Sequence, residues 1–246
     1  MILLRDQRIL FIKPMKTAST SVDIAFSCNA TEDDIVTPLR PADEMIRKGV
    51  GGTFPVNWAK KKSTEDDFRT FMEQYAKDSI QHTDRKGKPK RPYIKWRATY
   101  YNHLTPDKFA RRIRGIRMKD VFMVTMVRHP YDLVVSHASH VRAQSLNPDE
   151  PLGRFLDKTI AKRPINDKFL FTKHKPSFVI RYEHLKEDLS KLEGLKNLKL
   201  VENLPFTKHK FRRDRRDPAS ILSDLQKAKI CKKYWRTFET YGYSID

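Results

Sequence analysis

Arg8-Ile-Leu-Phe-Ile-Lys-Pro-Met-Lys-Thr-Ala-Ser-Thr-Ser-Val-Asp-Ile-Ala-Phe26 is the stretch around which the chain is organised. Its apolar run, Ile9 to Ile12, has the length and type of a buried strand. Pro14 marks a turn. One lysine and four hydroxyl residues follow within six positions, Lys16, Thr17, Ser19, Thr20 and Ser21. Val22, Ile24, Ala25 and Phe26 then begin an apolar helix face. A strand, a hydroxyl-rich turn and a helix make an anion-binding design, because first-turn N–H groups lack intrahelical acceptors and the helix dipole favours negative charge there. Lys16 adds a full charge and the hydroxyls add donors. The same pattern also describes an ordinary strand–turn–helix with a Ser/Thr cap.

The chain of 246 residues is long enough for one substantial core, and residues 1–246 read as a single domain. Fifty Lys and Arg stand against 30 Asp and Glu, a formal net charge of +20. That excess points to an anionic partner: a nucleotide, an acidic polysaccharide or nucleic acid. Scattered lysines serving solubility are the plainer account. Two cysteines, Cys28 and Cys231, form neither a disulfide framework nor a zinc set. His137 and His140 could share a helix face, yet no third ligand accompanies them, so no metal is expected. No apolar run approaches the ~20 residues of a membrane span. The first residues lack signal-peptide character, and the chain reads as soluble and cytoplasmic. A membrane anchor outside these residues would leave no trace in them.

Outward from the opening unit, Phe68, Phe71, Met72, Tyr75 and Ala76 recur at helical spacing within 57–80, with Thr64 as a capping residue. Residues 82–92 form a basic Pro/Gly loop, and Tyr93 to Tyr101 reads as extended. Thr105-Pro106 is a helix start, which places His103 at a strand's end, where ligand-facing residues collect in α/β sheets. Val121 to Val127 is the strongest strand, apolar enough for burial on both faces. Arg128 follows it, and Pro130 opens a helix through Arg142. Arginine at that junction suits a phosphate clamp or a surface ion pair. Ser177 to Tyr182 is a further strand, and Leu185 to Leu195 a helix. Residues 208–216 are densely basic, and a long helix from Ala219 to Tyr241 ends at Gly242. Strands alternating with helices predict an α/β fold of three layers, with a mainly parallel sheet between helices.

These residues resemble a family, the sulfotransferases that use 3′-phosphoadenosine 5′-phosphosulfate (PAPS). Lys16-Thr17-Ala18-Ser19-Thr20-Ser21 is similar to their 5′-phosphosulfate loop. Val127-Arg128-His129-Pro130-Tyr131-Asp132-Leu133-Val134-Val135-Ser136 is similar to their 3′-phosphate motif, in which an Arg and a Ser eight residues later hold that group. Arg181-Tyr182-Glu183-His184-Leu185 and the closing helix ending Thr240-Tyr241-Gly242-Tyr243 resemble the Golgi-type carbohydrate branch. Lys-Thr-Ala-Ser-Thr-Ser together with Asn102-His103-Leu104 most resembles the uronyl and heparan sulfate 2-O-sulfotransferases. There are departures: Met15 replaces a usual Pro, His129 a common Asp or Asn, and Asn102 a frequent Gly. Residues 28–97 match nothing in that pattern and are read as an acceptor-side insertion.

The resemblance implies a P-loop-like sulfotransferase fold, PAPS as donor, 3′,5′-adenosine bisphosphate (PAP) as product, and a saccharide acceptor. It assigns the base to His103. Lys16 would neutralise the leaving oxygen, and the backbone of Thr17 to Ser21 would cradle the 5′-phosphate. Arg128 and Ser136 would hold the 3′-phosphate. The chemistry suits the residue types: sulfuryl transfer, like phosphoryl transfer, asks mainly for positioning and charge neutralisation. An imidazole of pKa ~6.5 can accept a hydroxyl proton near neutral pH. Two alternatives stand beside it. A P-loop kinase would need G-x-x-x-x-G-K-[ST], and no glycine lies between Arg8 and Phe26. A polyanion-binding protein without catalysis would use the basic loops at 85–91 and 208–216, with nucleic acid the less expected ligand.

Overall fold

A computed structural model describes residues 1–77, 98–205 and 216–245. The basic loop at 82–92, the extended reading of 93–97 and nearly all of the basic segment at 208–216 therefore lie outside the described residues. The elements in chain order are β1 Ile2–Leu4, β2 Ile9–Phe11, α1 Ser19–Ser27, β3 Ile35–Val36, α2 Pro41–Gly49, α3 Lys62–Lys77 and α4 Pro106–Ala110. There follow β4 Phe122–Val127, α5 Pro130–Ala143, α6 Leu152–Ala161, α7 Asp167–Leu170, β5 Phe178–Arg181, α8 Leu185–Lys196, α9 Pro218–Ile221 and α10 Asp224–Tyr241. The protein is an α/β fold with one five-stranded open sheet, ordered β3-β1-β2-β4-β5.

The sheet is mixed, which corrects the expectation of a mainly parallel one. β2, β4 and β5 run parallel, whereas β1 is antiparallel to both β2 and β3. Only Arg5 to Arg8 separate β1 from β2. A connection of four residues allows a hairpin, while a parallel pair needs a crossover of about a dozen. Arg8 turns that hairpin at φ 53°, with its N–H donated to Arg5 O at 3.1 Å.

Period-two alternation sorts the strand residues onto two apolar faces. Ile2, Leu4, Ile9, Phe11, Val124 and Met126 pack with Val22 and Phe26 of α1 and Leu189 and Leu192 of α8. Leu3, Leu10, Ile12 and Met123 face the other way, against Trp58, Phe68 and Met72 of the α3 region, Phe109 of α4 and Phe169 of α7. A third cluster joins α5, α6, α9 and α10 through Tyr131, Val134, Leu156, Ile230 and Phe238. Residues 28–97, read as an insertion, are built into this core over their described part, 28–77: they supply β3, α2 and α3.

Two helix boundaries differ from expectation, and local capping chemistry explains the second. α3 begins at Lys62, ahead of Thr64. The long C-terminal helix is two helices, because Ser223 and Gln226 form a reciprocal capping box that starts α10 afresh. Gly242 ends α10 at φ 65°, as its position suggested. Cys28 and Cys231 are both free thiols. Among the described residues no helix is long and apolar enough to cross a membrane.

Candidate functional site

The loop between β2 and α1 turns without glycine. Lys16 and Ala18 take left-handed backbone at φ 62° and 57°. Each such residue costs about 1–2 kcal/mol, so the surroundings must hold the turn in place. Three contacts do so. Ser19 Oγ donates to Pro14 O at 2.6 Å. Asn166, ahead of α7, receives Met15 N–H on its Oδ1 and donates Nδ2 to Met15 O, both at 2.9 Å. Arg128 donates to Lys16 O at 2.7 Å. Met15, one of the three departures from the resembled pattern, is thus gripped through its backbone.

Within this loop the predicted residues divide by role. Thr17 is fully buried and its hydroxyl meets Met126 Sδ at 3.8 Å, so it serves the scaffold. Ser21 N–H closes onto Ala18 O at 3.0 Å, which leaves the amides ahead of it without an intrahelical acceptor. Thr20 and Ser21 are buried, and Lys16 and Ala18 are half-buried. The ammonium of Lys16 lies near α5: burial first, then Lys16 and Lys162, lower the pKa of His137.

Arg128 leaves the end of β4 and joins the two predicted phosphate motifs. One terminal nitrogen reaches Lys16 O and also Ser136 Oγ, the latter at 3.3 Å. Nε and the other terminal nitrogen engage Asp132 Oδ2 at 2.7 and 2.6 Å. The guanidinium lies 3.8 Å from the ring centroid of Tyr182, in the turn after β5. It is only 7% exposed. A cation that is pinned this firmly has little reorganisation left to perform when an anion arrives at its edge. Next to it, Glu183 accepts from His129 N–H at 2.7 Å and from Tyr243 O–H at 2.8 Å. Burial and the Glu183 charge raise the Tyr243 pKa, so it stays a donor. These bonds tie the ends of β4 and β5 to the C-terminal segment.

His103 lies on a turn ahead of α4; Ala98, in an isolated bridge with Ala59, is the only nearby strand-like pairing among the described residues. Its Nδ1 is 2.9 Å from Lys13 O. A carbonyl only accepts, so Nδ1 carries the proton and Nε2 keeps its lone pair. The residue retains exposed surface, yet it sits in a crowded surround. Burial, seconded by the Lys13 ammonium, lowers its pKa to about 4. Both aspects agree on a neutral imidazole at neutral pH with one nitrogen open.

Beneath the loop lies a charge cluster that the sequence reading missed. Asp23 of α1 is fully buried and accepts from the Met1 ammonium and from Arg47, each at 2.6 Å, with Lys13 Nζ at 4.0 Å. Arg47 also holds Glu44 at 2.8 Å. Burial opposes the Asp23 charge, but the surrounding cations outweigh it and hold its carboxyl well below the usual range. Lys13 therefore links this cluster to His103 through one residue: its ammonium faces Asp23 and its carbonyl orients the imidazole. The available signal was an Asp inside an otherwise apolar helix face; Asn166 carried none, and Tyr182 entered only within the Arg181–Leu185 motif, with no role assigned. Family models, curated proteins and solved structures contain no match to this chain.

Proposed function

We propose that the protein is a PAPS-dependent sulfotransferase, with a P-loop-like sulfotransferase fold, that moves a sulfuryl group to an acceptor hydroxyl on a saccharide. The observation that carries this reading is the convergence at Arg128: one guanidinium binds the carbonyl of Lys16 and the hydroxyl of Ser136. Two stretches chosen as 5′- and 3′-phosphate binders, 112 residues apart at that bond, therefore meet at neighbouring strand ends. Parallel strands β2 and β4 place their following loops side by side, which is where ligands bind in open α/β sheets.

The donor supplies an activated sulfuryl group, and the chain's residues do the rest. First-turn amides of α1 and the Lys16 ammonium stabilise charge on the leaving phosphate. Ser136 donates its hydroxyl proton to the 3′-phosphate while accepting from Arg128. His103 takes the acceptor proton at Nε2, and the resulting imidazolium is held by Lys13 O at Nδ1. No Walker-type glycine loop surrounds a triphosphate here, which favours this reading over a kinase.

Calorimetric titration with PAP tests the assignment. Wild type should bind it with clear preference over ATP, and Arg128→Ala should lower the affinity by about 100-fold, the loss of charge-assisted contacts worth ~1.5–3 kcal/mol. Wild-type protein that binds no PAP overturns the assignment.

A further inference from the structure

His129 follows Arg128 directly, and each of its polar atoms is engaged. Its N–H donates to Glu183, its carbonyl accepts from Leu133 N–H at 2.9 Å, and both ring nitrogens have partners. We infer that Tyr243 to Ile245, the segment after α10, is a strap that positions the Arg128 turn, with His129 as the positioning residue that clasps it. The inference deepens the sulfuryl-transfer reading and rests on it only for the nucleotide, PAP, whose affinity the strap sets.

Three observations carry it. First, the tautomer of His129 is fixed from both sides. Nδ1 accepts the Tyr131 N–H at 3.2 Å and so caps α5, while Nε2 lies 3.0 Å from Ser244 O. A backbone N–H only donates and a carbonyl only accepts, so the ring proton sits on Nε2. One imidazole thus joins the first turn of α5 to the main chain of the strap. Second, the strap has two further fastenings, and they bracket Arg128. Tyr131 O–H donates to Ile245 O at 2.9 Å, and Tyr243 O–H donates to Glu183 Oε2 at 2.8 Å. Glu183 Oε1 takes the His129 N–H at 2.7 Å. Glu183 in turn follows Tyr182, whose ring centroid is 3.8 Å from the Arg128 guanidinium. The strap therefore reaches both the chain neighbour of Arg128 and the chain neighbour of the ring that covers it. Third, main-chain bonds rather than burial hold the stretch. Ser244 and Ile245 are exposed, the latter by 58%, yet their consecutive carbonyls span His129 and Tyr131. Only the ring of Tyr243 packs inward, 5.1 Å from that of His129. A stretch held this way opens at lower cost than the helix before it. Whatever fixes the turn then fixes the strap, and by linkage the reverse holds with the same factor.

Calorimetry, steady-state kinetics and hydrogen exchange on the full chain test the strap. Tyr131→Phe with Tyr243→Phe keeps both rings and removes two fastenings. It should weaken PAP about tenfold and raise KM for PAPS to match, with kcat unchanged. His129→Asn keeps a capping side chain and the N–H to Glu183 but loses the ring, and should give the same split. Ser223→Ala loosens the opposite end of α10 and should leave PAP affinity unchanged, which separates the strap from stability at large. In the wild type PAP should slow amide exchange across residues 242–245, and both strap variants should lose that protection. Nitrogen-15 spectra give a readout that needs no nucleotide. The wild type should show the His129 proton on Nε2. The Arg128 Nε proton, bonded to Asp132 at 2.7 Å, should exchange faster in both strap variants. Unchanged PAP affinity in both variants, a loss of kcat without a rise in KM, or an Arg128 proton indifferent to both overturns the strap. A wild type that binds no PAP overturns the sulfotransferase reading. Faster exchange at Arg128 in the variants then still supports the strap, and unaltered exchange overturns it as well.

Discussion

The two sides of the candidate site are built differently. The proposed donor side is assembled in advance: Lys13, Thr17, Asp23 and Arg128 are buried, and its hydrogen bonds join residues 112 and 151 positions apart. The proposed acceptor side, at His103, lies at the surface on a turn, with the Lys13 carbonyl against its ring. A small nucleotide of fixed shape rewards a preformed cradle, whereas a saccharide chain can be met by charge at the surface. The difference teaches where a substitution should act: on stability and nucleotide binding together on the first side, and on turnover or acceptor affinity alone on the second.

The largest expected effect tests the acceptor side. His103→Ala should lower kcat by about 10²–10⁴-fold, the usual loss for a general base, while PAP affinity stays within twofold. Full turnover in this variant would move the base elsewhere. The pH profile sharpens the point. Because burial and Lys13 lower the His103 pKa to about 4, its neutral form prevails above that pH. The acid limb of kcat/KM should therefore lie well below 6, and an inflection near 6.5 would show the imidazole free of those influences.

Next comes the donor side's foundation. Asp23→Asn removes the buried anion shared by the Met1 amino group, Lys13 and Arg47, leaving Glu44 to Arg47, and should cost about 3–5 kcal/mol in urea unfolding. The carboxyl of Asp23 is held below its ordinary range in the folded state, so its contribution is present above the unfolded pKa of ~3.9 and is lost as pH falls below that value. Wild-type stability should drop in that acid window, and Asp23→Asn should flatten the drop. A variant as stable as wild type would break the idea of a foundation beneath the loop.

Smaller effects separate binding from folding. Ser136→Ala removes one hydroxyl from the Arg128 junction and should weaken PAP by about 0.5–1.5 kcal/mol, with little change in thermal midpoint. The smallest, Ser223→Ala, removes the cap of α10 and should cost about 1 kcal/mol of stability with PAP affinity unchanged. If Ser223→Ala altered PAP binding as much as Ser136→Ala does, the proposed separation of cradle and frame would fail.

Much of the site could be read from residue order, because its parts are local. The strand before Pro14, the helix after Ala18, Arg128 at the end of an apolar strand and the helix opened by Pro130 all follow from periodicity, proline geometry and cap chemistry acting within a few residues. The α/β class followed from the same alternation. Strand direction did not: Ile2-Leu3-Leu4 is too short a run to declare a strand alone, and only pairing with β2 and β3 makes it one.

Residue order by itself determined which side chains are candidates for the proposed chemistry, Lys16, His103, Arg128 and Ser136, since charge and proton affinity belong to the residue type. Tertiary structure alone decided how they are held. It set Asn166 against Met15, Tyr182 over Arg128, Asp23 among Met1, Lys13 and Arg47, and the Lys13 carbonyl against His103. Those contacts depend on which strands become neighbours and on burial that makes an unpaired charge costly, and neither is encoded in any local window of sequence.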